Sequence, residues 1–293
     1  MRYSKKLFSV LIMMMFSVAV IAADKIKPYV LASNEAGDFT EVVAKVKASV
    51  VEAGFTIVGN YQPYDGADIQ IITSDALKEA AAKSENGGFG SVIRVSTTQV
   101  EENIQVSYVN PAYMSAMYRM KSDLSEVSDA LEEHLGAETA FGSEKGMTKK
   151  KANKYHYWSF MPYFDDVDKL ASFSSYDDAV AGVEQALSEG VAGVGKVYQV
   201  DIPGSEITLF GVSFSEGKAE DERVMSIIDK SEIKHTAHLP YEMMVNGKNV
   251  ISLRGKFRLA QSFPDLPMGK FMKIQNVPGA ITKSLEKVAE ANQ

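Results

Sequence analysis

Three basic residues recur at alternate positions near the end of the chain: Arg254, Lys256 and Arg258. If they belong to a β-strand, the alternation places all three side chains on one face, with neighbours about 6–7 Å apart. Such a row of cations on an acidic protein could bind a carboxylate or a phosphate group. The simpler alternative is a solvated sheet face, on which the cations pair with acids such as Glu242 on the neighbouring strand.

Two histidines and a tyrosine, His235, His238 and Tyr241, come shortly before these cations. Histidines three residues apart could share a metal ion on a helical turn, but on a strand they point to opposite faces. Because no third ligand accompanies them, we predict no metal site. His238 and Tyr241, with Arg254 and Arg258, remain candidates for binding a small ligand.

A run of aromatic residues, YHYWSFMPYFDD at 155–166, lies near the middle of the chain. It is too aromatic for an exposed linker, so we expect it to pack and to bury Trp158, the only tryptophan. The lysines just before it, at 149–151 and 154, are typical of a solvated charge run. The side chains that we expect to line a pocket with nearby Met-rich segments are Tyr113, Tyr155, His156 and Trp158.

Motifs for other chemistries are incomplete. Residues 190–196 match the GxxxxGK core of a phosphate-binding loop, but Val197 stands where a magnesium-binding Ser or Thr belongs. Three Ser-x-x-Lys pairs lack the accompanying motifs of an acyl-transfer enzyme, and no G-x-S-x-G elbow exists. The acidic residues at 165–168 lack the spacing and glycine of an EF-hand loop, which favours loop capping over calcium binding. The sequence therefore predicts no catalytic residues.

The element that must position these side chains is a β-hairpin over residues 235–260. Two runs with apolar residues at every second position flank Asn246-Gly247, the dipeptide that most readily forms a tight hairpin turn. A weaker copy of this hairpin occupies residues 91–111. We predict that both strands of the second hairpin are regular, with the second strand extending through Leu259.

The elements around the two hairpins follow the same order. Helices are predicted over 38–53, 75–83 and 123–135 in the first half, and over 175–187, 221–228 and 279–289 in the second. A strand pair follows the first helix of each half, at 55–61 and 68–73 and at 194–202 and 206–214. The pattern predicts an α/β fold of the α+β type: two tandem two-layer α-β-β-α-β-β-α units with mostly antiparallel sheets.

Four short stretches of the chain resemble a known family. They are AGFTIV at 53–58, YVNP at 108–111, HLPYE at 238–242 and FRLA at 257–260. These resemble the bacterial proteins of the DUF302 family, with its TT1751-like α/β fold, and the resemblance covers most of the chain as two copies. It implies a compact two-layer unit, and through some relatives it implies haem as a cofactor to consider. It supplies no ligand motif that can be carried over.

The domain boundaries follow from these patterns. We predict a signal peptide at 1–23, a first domain at 24–136, a linker packed in the seam at 137–171, and a second domain at 172–293. The signal peptide rests on Arg2, Lys5 and Lys6, followed by an apolar run at 7–21 and small residues. That run is too short for a bilayer span, which needs roughly 20 residues. The predicted location is the periplasm or the medium.

Composition limits the partners. The chain has no cysteine, so it has no disulfides and no Cys-based haem attachment. Its formal charge of −7 becomes −10 once the three cations of the signal segment are removed. Such a charge disfavours nucleic acid and anionic lipid, so we expect neither nucleic-acid binding nor membrane insertion after cleavage.

The function that these patterns favour is binding rather than catalysis. We expect an exported, non-catalytic protein that holds a small ligand or partner between its two copies, since ligand sites favour apolar clefts at domain interfaces. The alternative is a structural or interaction protein of the cell envelope. A haem-binding protein and a hydrolase have less support, and the sequence leaves the oligomeric state open.

Overall fold

The computed structural model describes residues 25–158 and 160–293. The predicted signal peptide lies outside these residues. Helices combine with antiparallel sheets, which confirms the predicted α/β class. Within the described ranges, no helix is long and apolar enough to cross a bilayer.

The strands form two large sheets and one two-stranded sheet. Those of the first half are β1 (Lys25–Ile26), β2 (Tyr29–Ala36), β3 (Thr56–Tyr61), β4 (Ala67–Thr73), β5 (Ile93–Val100), β6 (Asn103–Val109), β7 (Thr139–Phe141) and β8 (Met147–Thr148). Those of the second half are β9 (Val167–Ser172), β10 (Val194–Asp201), β11 (Ile207–Phe214), β12 (Tyr241–Asn246) and β13 (Asn249–Leu253).

The helices alternate with these strands. The α-helices are α1 (Phe39–Glu52), α2 (Asp75–Ala82), α3 (Pro111–Met117), α4 (Ser125–Leu135), α5 (Lys149–Ala152), α6 (Tyr176–Ser188), α7 (Asp221–Ile228), α8 (Gly255–Ser262), α9 (Met268–Lys273) and α10 (Val277–Glu290). The short 3-10 helices are η1 (Gly87–Gly90), η2 (Val191–Gly193), η3 (Gly217–Ala219) and η4 (Thr236–His238).

The two large sheets have the same strand order. The first runs β3-β4-β5-β6-β2-β7 and the second runs β10-β11-β12-β13-β9, and all neighbours are antiparallel. Without the edge strand β7, each position of the first sheet has a counterpart in the second. The strands of the two halves do not interleave. A tandem duplication would give this arrangement, and the duplication itself stays a prediction.

The irregularities of the two sheets also correspond. The register shifts by one residue at Ala32 in β2 and at Leu170 in β9. It shifts again at Val58 in β3 and at Val197 in β10. Because β-bulges are positioned features, we use these shifts to align the halves. In this alignment Gly59 corresponds to Tyr198. Their strand partners, Ile71 and Gly211, then correspond as well. The next partners along the sheets, Arg94 and Glu242, therefore also correspond.

Helices cover one face of each sheet. Asp38 caps α1 by accepting the Glu41 amide (2.9 Å), and Val46 and Val50, one turn apart, are buried against the first sheet. In the same way α6 and α10 pack on the second sheet, where Leu285 is buried. One face of each sheet is thus covered by helices of its own half.

The other faces of the two sheets meet, and we call this contact the seam. At Gly59 the sheets come so close that an added Cβ would lie 2.7 Å from Cβ of Tyr198. The segment η1 contacts β11 and β12, whereas η4 contacts β4, β5 and β6. Each half therefore sends its short 3-10 segment onto the sheet of the other half. The buried apolar residues form one continuous cluster through both halves.

The segment predicted as a linker contributes strands. β7 pairs with β2, β8 pairs with β1, and β9 joins the second sheet beside β13. The strands β2 and β9, which open the two halves before their first helices, were not predicted. Each half therefore begins with a strand, and that strand lies beside the second strand of the hairpin.

The second hairpin is shorter than predicted. Strand β13 ends at Leu253, and the chain then turns into α8. The prediction of a strand through Leu259 is wrong because Phe257, Arg258, Leu259, Gln261 and Ser262 are all buried, as a packed helix allows. Consequently Arg254, Lys256 and Arg258 do not form a row on one strand face. Similarly, His235 and His238 lie at η4 rather than on a strand.

Candidate ligand site at the seam

A buried ion triad crosses the seam. The Glu242 carboxylate accepts from Nη1 of Arg94 on one oxygen and from Nε of Arg258 on the other (3.2 Å). All three side chains are buried. Two guanidinium groups share one carboxylate, so this cluster keeps a net positive charge, which backbone carbonyls partly compensate. Arg94 donates to the Ala237 carbonyl (2.8 Å), and Arg258 donates to the carbonyls of His238 and Pro240.

His238 and Tyr241 belong to the same buried network. Arg258 Nη1 can only donate, so Nδ1 of His238 accepts from it (3.2 Å) and Nε2 carries the hydrogen toward Tyr241 Oη (3.0 Å). Burial, followed by the charges of Arg258 and Arg94, holds the pKa of His238 well below its usual range. The imidazole is therefore neutral. The structure brings the predicted residues His238, Tyr241 and Arg258 together, but within the core rather than on an open surface.

An open cavity of about 350 Å³, which we call the seam cavity, lies between the two halves, and His235 lies in its wall. One side is formed by residues 141–144, at the end of β7, and the other by residues of the second half. The apolar part of its lining consists of Phe141, Ile228, Ile233, Phe263, Leu266 and Pro267. Polar groups enter from Ser143, Glu144, Ser231, Glu232, Asp265 and Lys270. A volume of this size is within the range of small-molecule sites.

His235 is the most constrained polar side chain of this cavity. Its Nδ1 lies 3.0 Å from one carboxylate oxygen of Asp229, and its backbone amide donates to the other (2.8 Å). The ring stacks on Phe263 (centroids 4.8 Å apart) and contacts the edges of Tyr29 and Phe141. In the neutral ring the Asp229 carboxylate holds the hydrogen on Nδ1 and leaves the lone pair on Nε2. That nitrogen makes no hydrogen bond within the described residues.

Two predicted pocket residues have structural roles instead. Tyr113 donates its hydroxyl hydrogen to the Gln261 carbonyl (2.8 Å), and Tyr155 donates to the Ala260 carbonyl (3.1 Å). Both rings are buried, and burial raises the pKa of each phenol well above its usual value. These hydroxyls fasten α3 and the 155–166 segment to the end of α8. They do not line the seam cavity.

The other predicted residues lie near the surface. His156 is half-buried, with Nδ1 2.9 Å from the Trp158 carbonyl. Trp158 is 66% exposed, so the prediction that it is buried is wrong. Arg254 is half exposed and pairs with Asp168 (3.3 Å), which makes it a surface tie between α8 and β9. Of the acids at 165–168, Asp166 caps the loop by accepting the Tyr163 amide (2.9 Å), whereas Asp165 pairs with Arg119 and Asp168 pairs with Arg254.

The residues around His235 suit one kind of metal chemistry only. The described ranges contain no group of three or more His, Cys, Asp or Glu side chains able to hold a metal ion. A single imidazole with a carboxylate on its Nδ1 would hold a metal that a macrocycle already carries. The apolar walls of the cavity fit the body of such a ring system, whereas its polar lining sets Glu144, Glu232 and Asp265 beside Lys270.

Little in the sequence points to His235 as a binding residue. The pattern around it suggests only half of a possible metal pair with His238. Its partner Asp229 lies six residues earlier, on the far side of an irregular loop, and such a spacing has no fixed geometry. No known protein family, curated protein or solved structure matches this chain, so the resemblance to the DUF302 family stays a prediction.

Proposed function

We propose that this chain is an exported, non-catalytic binding protein whose small ligand occupies the seam cavity. The observation that carries the proposal is the imidazole of His235, fixed by Asp229 and three aromatic rings, with Nε2 free beside a cavity of about 350 Å³. Export rests on the N-terminal segment, which lies outside the described residues.

The geometry favours a ligand with one polar anchoring point. The imidazole is already oriented, so binding a donor or a metal centre at Nε2 costs little side-chain entropy. The apolar walls would bury the body of the ligand, and Lys270 would bind one acidic group beside the carboxylates of Glu144, Glu232 and Asp265. A small planar ligand with a hydrogen-bond donor fits, and haem, which would bind Nε2 through its metal, is the alternative with a metal centre.

Binding fits better than catalysis. A Ser-His-Asp hydrolase needs a hydroxyl within hydrogen-bond reach of the imidazole. In the described part of the chain, no hydroxyl hydrogen-bonds to Nε2 of His235. Glu242 and its two arginines are fully occupied by one another and offer no open acid or base.

The test is to purify the mature protein from its native host and record its native mass and visible absorption. We expect a mass above that of the bare polypeptide. An absorption band of the Soret type would identify haem, whereas excess mass without visible absorption would indicate a colourless ligand. A bare polypeptide mass from protein kept under native conditions throughout would contradict the proposal.

A further inference from the structure

A second surface of the molecule is apolar, exposed and rich in aromatic residues. It consists of residues 157, 158, 160 and 161 and of the region from α8 to α9, which together line a groove of about 270 Å³. Its exposed members are Tyr157 (40%), Trp158 (66%), Phe160 (105%), Met268 (51%) and Met272 (50%). We call these five residues and the groove between them the Trp158 surface.

Exposure of this kind is unusual outside binding surfaces. Among the described residues, only Val51 and Tyr163 are exposed large hydrophobic side chains outside this surface. Phe160 has a left-handed backbone conformation (φ 69°), which an aromatic residue seldom adopts and which presents its side chain at a loop tip. A cluster of projecting aromatic and methionine side chains marks an interaction site.

The chain segments that carry the Trp158 surface have a charge opposite in sign to that of the whole chain. Residues 149–166 and 256–273 carry seven lysines, the buried Arg258 and three acids, Asp165, Asp166 and Asp265, and Lys256 lines the groove itself. The Asp265 carboxylate accepts the Glu144 amide (2.6 Å). Because charges beyond about 8 Å are screened at physiological ionic strength, this local excess of lysine decides which partner is attracted. The repulsion of anionic lipid expected from the net charge of −7 does not apply at this face.

We propose that the Trp158 surface binds peripherally to a bilayer that contains anionic lipid. Tryptophan and tyrosine favour the interface between headgroups and acyl chains, and nearby lysines favour anionic headgroups. Projecting side chains suit this occupant because a fluid bilayer needs no complementary shape, whereas a protein partner must supply one. The seam cavity lies next to this surface, since Phe263 and Leu266 line both.

The single tryptophan makes the test direct, because tryptophan fluorescence reports only on this surface. The mature protein is mixed with vesicles of equal parts phosphatidylglycerol and phosphatidylcholine, and separately with phosphatidylcholine alone. We expect a blue shift of emission and quenching by brominated acyl chains with the anionic vesicles. Both effects should weaken strongly at about 1 M salt, where the Debye length is about 3 Å.

A double variant that keeps the reporter, Phe160→Ser with Met272→Ser, should reduce vesicle binding by about tenfold or more, as expected from losing a buried aromatic side chain. The matched control is Val51→Ser, which removes an exposed valine (58%) on α1 and should leave binding unchanged. Unchanged Trp158 emission with anionic vesicles would overturn the proposal. So would a blue shift that depends on protein concentration without lipid, since it would identify a second copy of the chain as the occupant.

Discussion

Replacing Glu242 with Gln should destabilise the protein severely without changing its shape. Among the described residues, Glu242 is the only acid whose carboxylate contacts the guanidinium groups of Arg94 and Arg258. Gln is nearly isosteric, but it removes the charge, and its amide hydrogens face donors. Arginine cannot lose its proton, so the variant buries two cations without a counter-ion. Breaking a buried pair in this way costs about 3–5 kcal/mol, a large part of a typical stability of about 5–15 kcal/mol.

Urea unfolding of the purified protein, followed by circular dichroism, measures this loss. The midpoint should fall while the slope with denaturant stays the same. The control is Glu184→Gln, which breaks the exposed pair with Lys196 and should cost less than about 1 kcal/mol. Adding Arg94→Met to Glu242→Gln should restore part of the loss, because it removes one of the unbalanced charges. A loss below about 1 kcal/mol for Glu242→Gln would refute this reasoning.

Three further predictions follow from buried groups. Burial raises the pKa of the Asp221 carboxyl to about 7, so it keeps its proton in the fold at pH values where the unfolded chain has lost it. Its contribution to stability should therefore fall as the pH rises from about 4 to about 7, by at most about 4 kcal/mol. Asp221→Asn should abolish this fall, which urea midpoints measured at pH values across this range would show. The same pH dependence in both proteins would contradict this role of Asp221. Leu131→Ala and Leu285→Ala should each lower the free energy of unfolding in urea by about 2–5 kcal/mol, because both side chains are buried where the final helices pack on the core. Losses below about 0.5 kcal/mol would show that these helices do not close the cores. Gly59→Ala should cost about 1–3 kcal/mol of stability, because the added methyl group clashes with Tyr198 across the seam. The melting temperature should therefore fall. An unchanged melting temperature would mean that the sheets are not in close contact there.

Local signals in the sequence predicted most elements. The Asp38 cap placed α1, the turn at Asn246-Gly247 placed the second hairpin, and α7 has its predicted bounds. In each of these places one local signal has no strong competitor. The strands β2 and β9 were not predicted because polar, partly exposed residues interrupt them, so apolar residues do not alternate clearly along either strand.

The error at α8 has a different cause. The segment from Gly255 to Ser262 contains apolar residues that fit both a period of two and a period near 3.6. Only the tertiary packing decides between the two patterns, because Arg258 must reach Glu242 from a helix. The three cations predicted to form a row therefore lie in different places. Arg258 is buried, Arg254 forms a surface ion pair, and Lys256 lies at the Trp158 surface.

The seam could not be predicted from the sequence because the corresponding positions of its two sides carry different residues. The aligned positions at its centre carry Gly59 against Tyr198 and Arg94 against Glu242. Two identical copies would place like charges against each other at the second of these positions, which is unfavourable. Different residues at equivalent positions thus stabilise the contact between the sheets, and they also make the sequences of the two halves dissimilar there.

The central claim is that a ligand occupies the seam cavity with His235 as its anchor. Its most direct test is the native mass of the mature protein and of His235→Ala, both purified from the native host in parallel with the vesicle-binding variant Phe160→Ser with Met272→Ser. We expect excess mass on the unmodified protein and on the surface variant, and none on His235→Ala. Bare polypeptide mass for all three, or equal excess mass on His235→Ala, would contradict it.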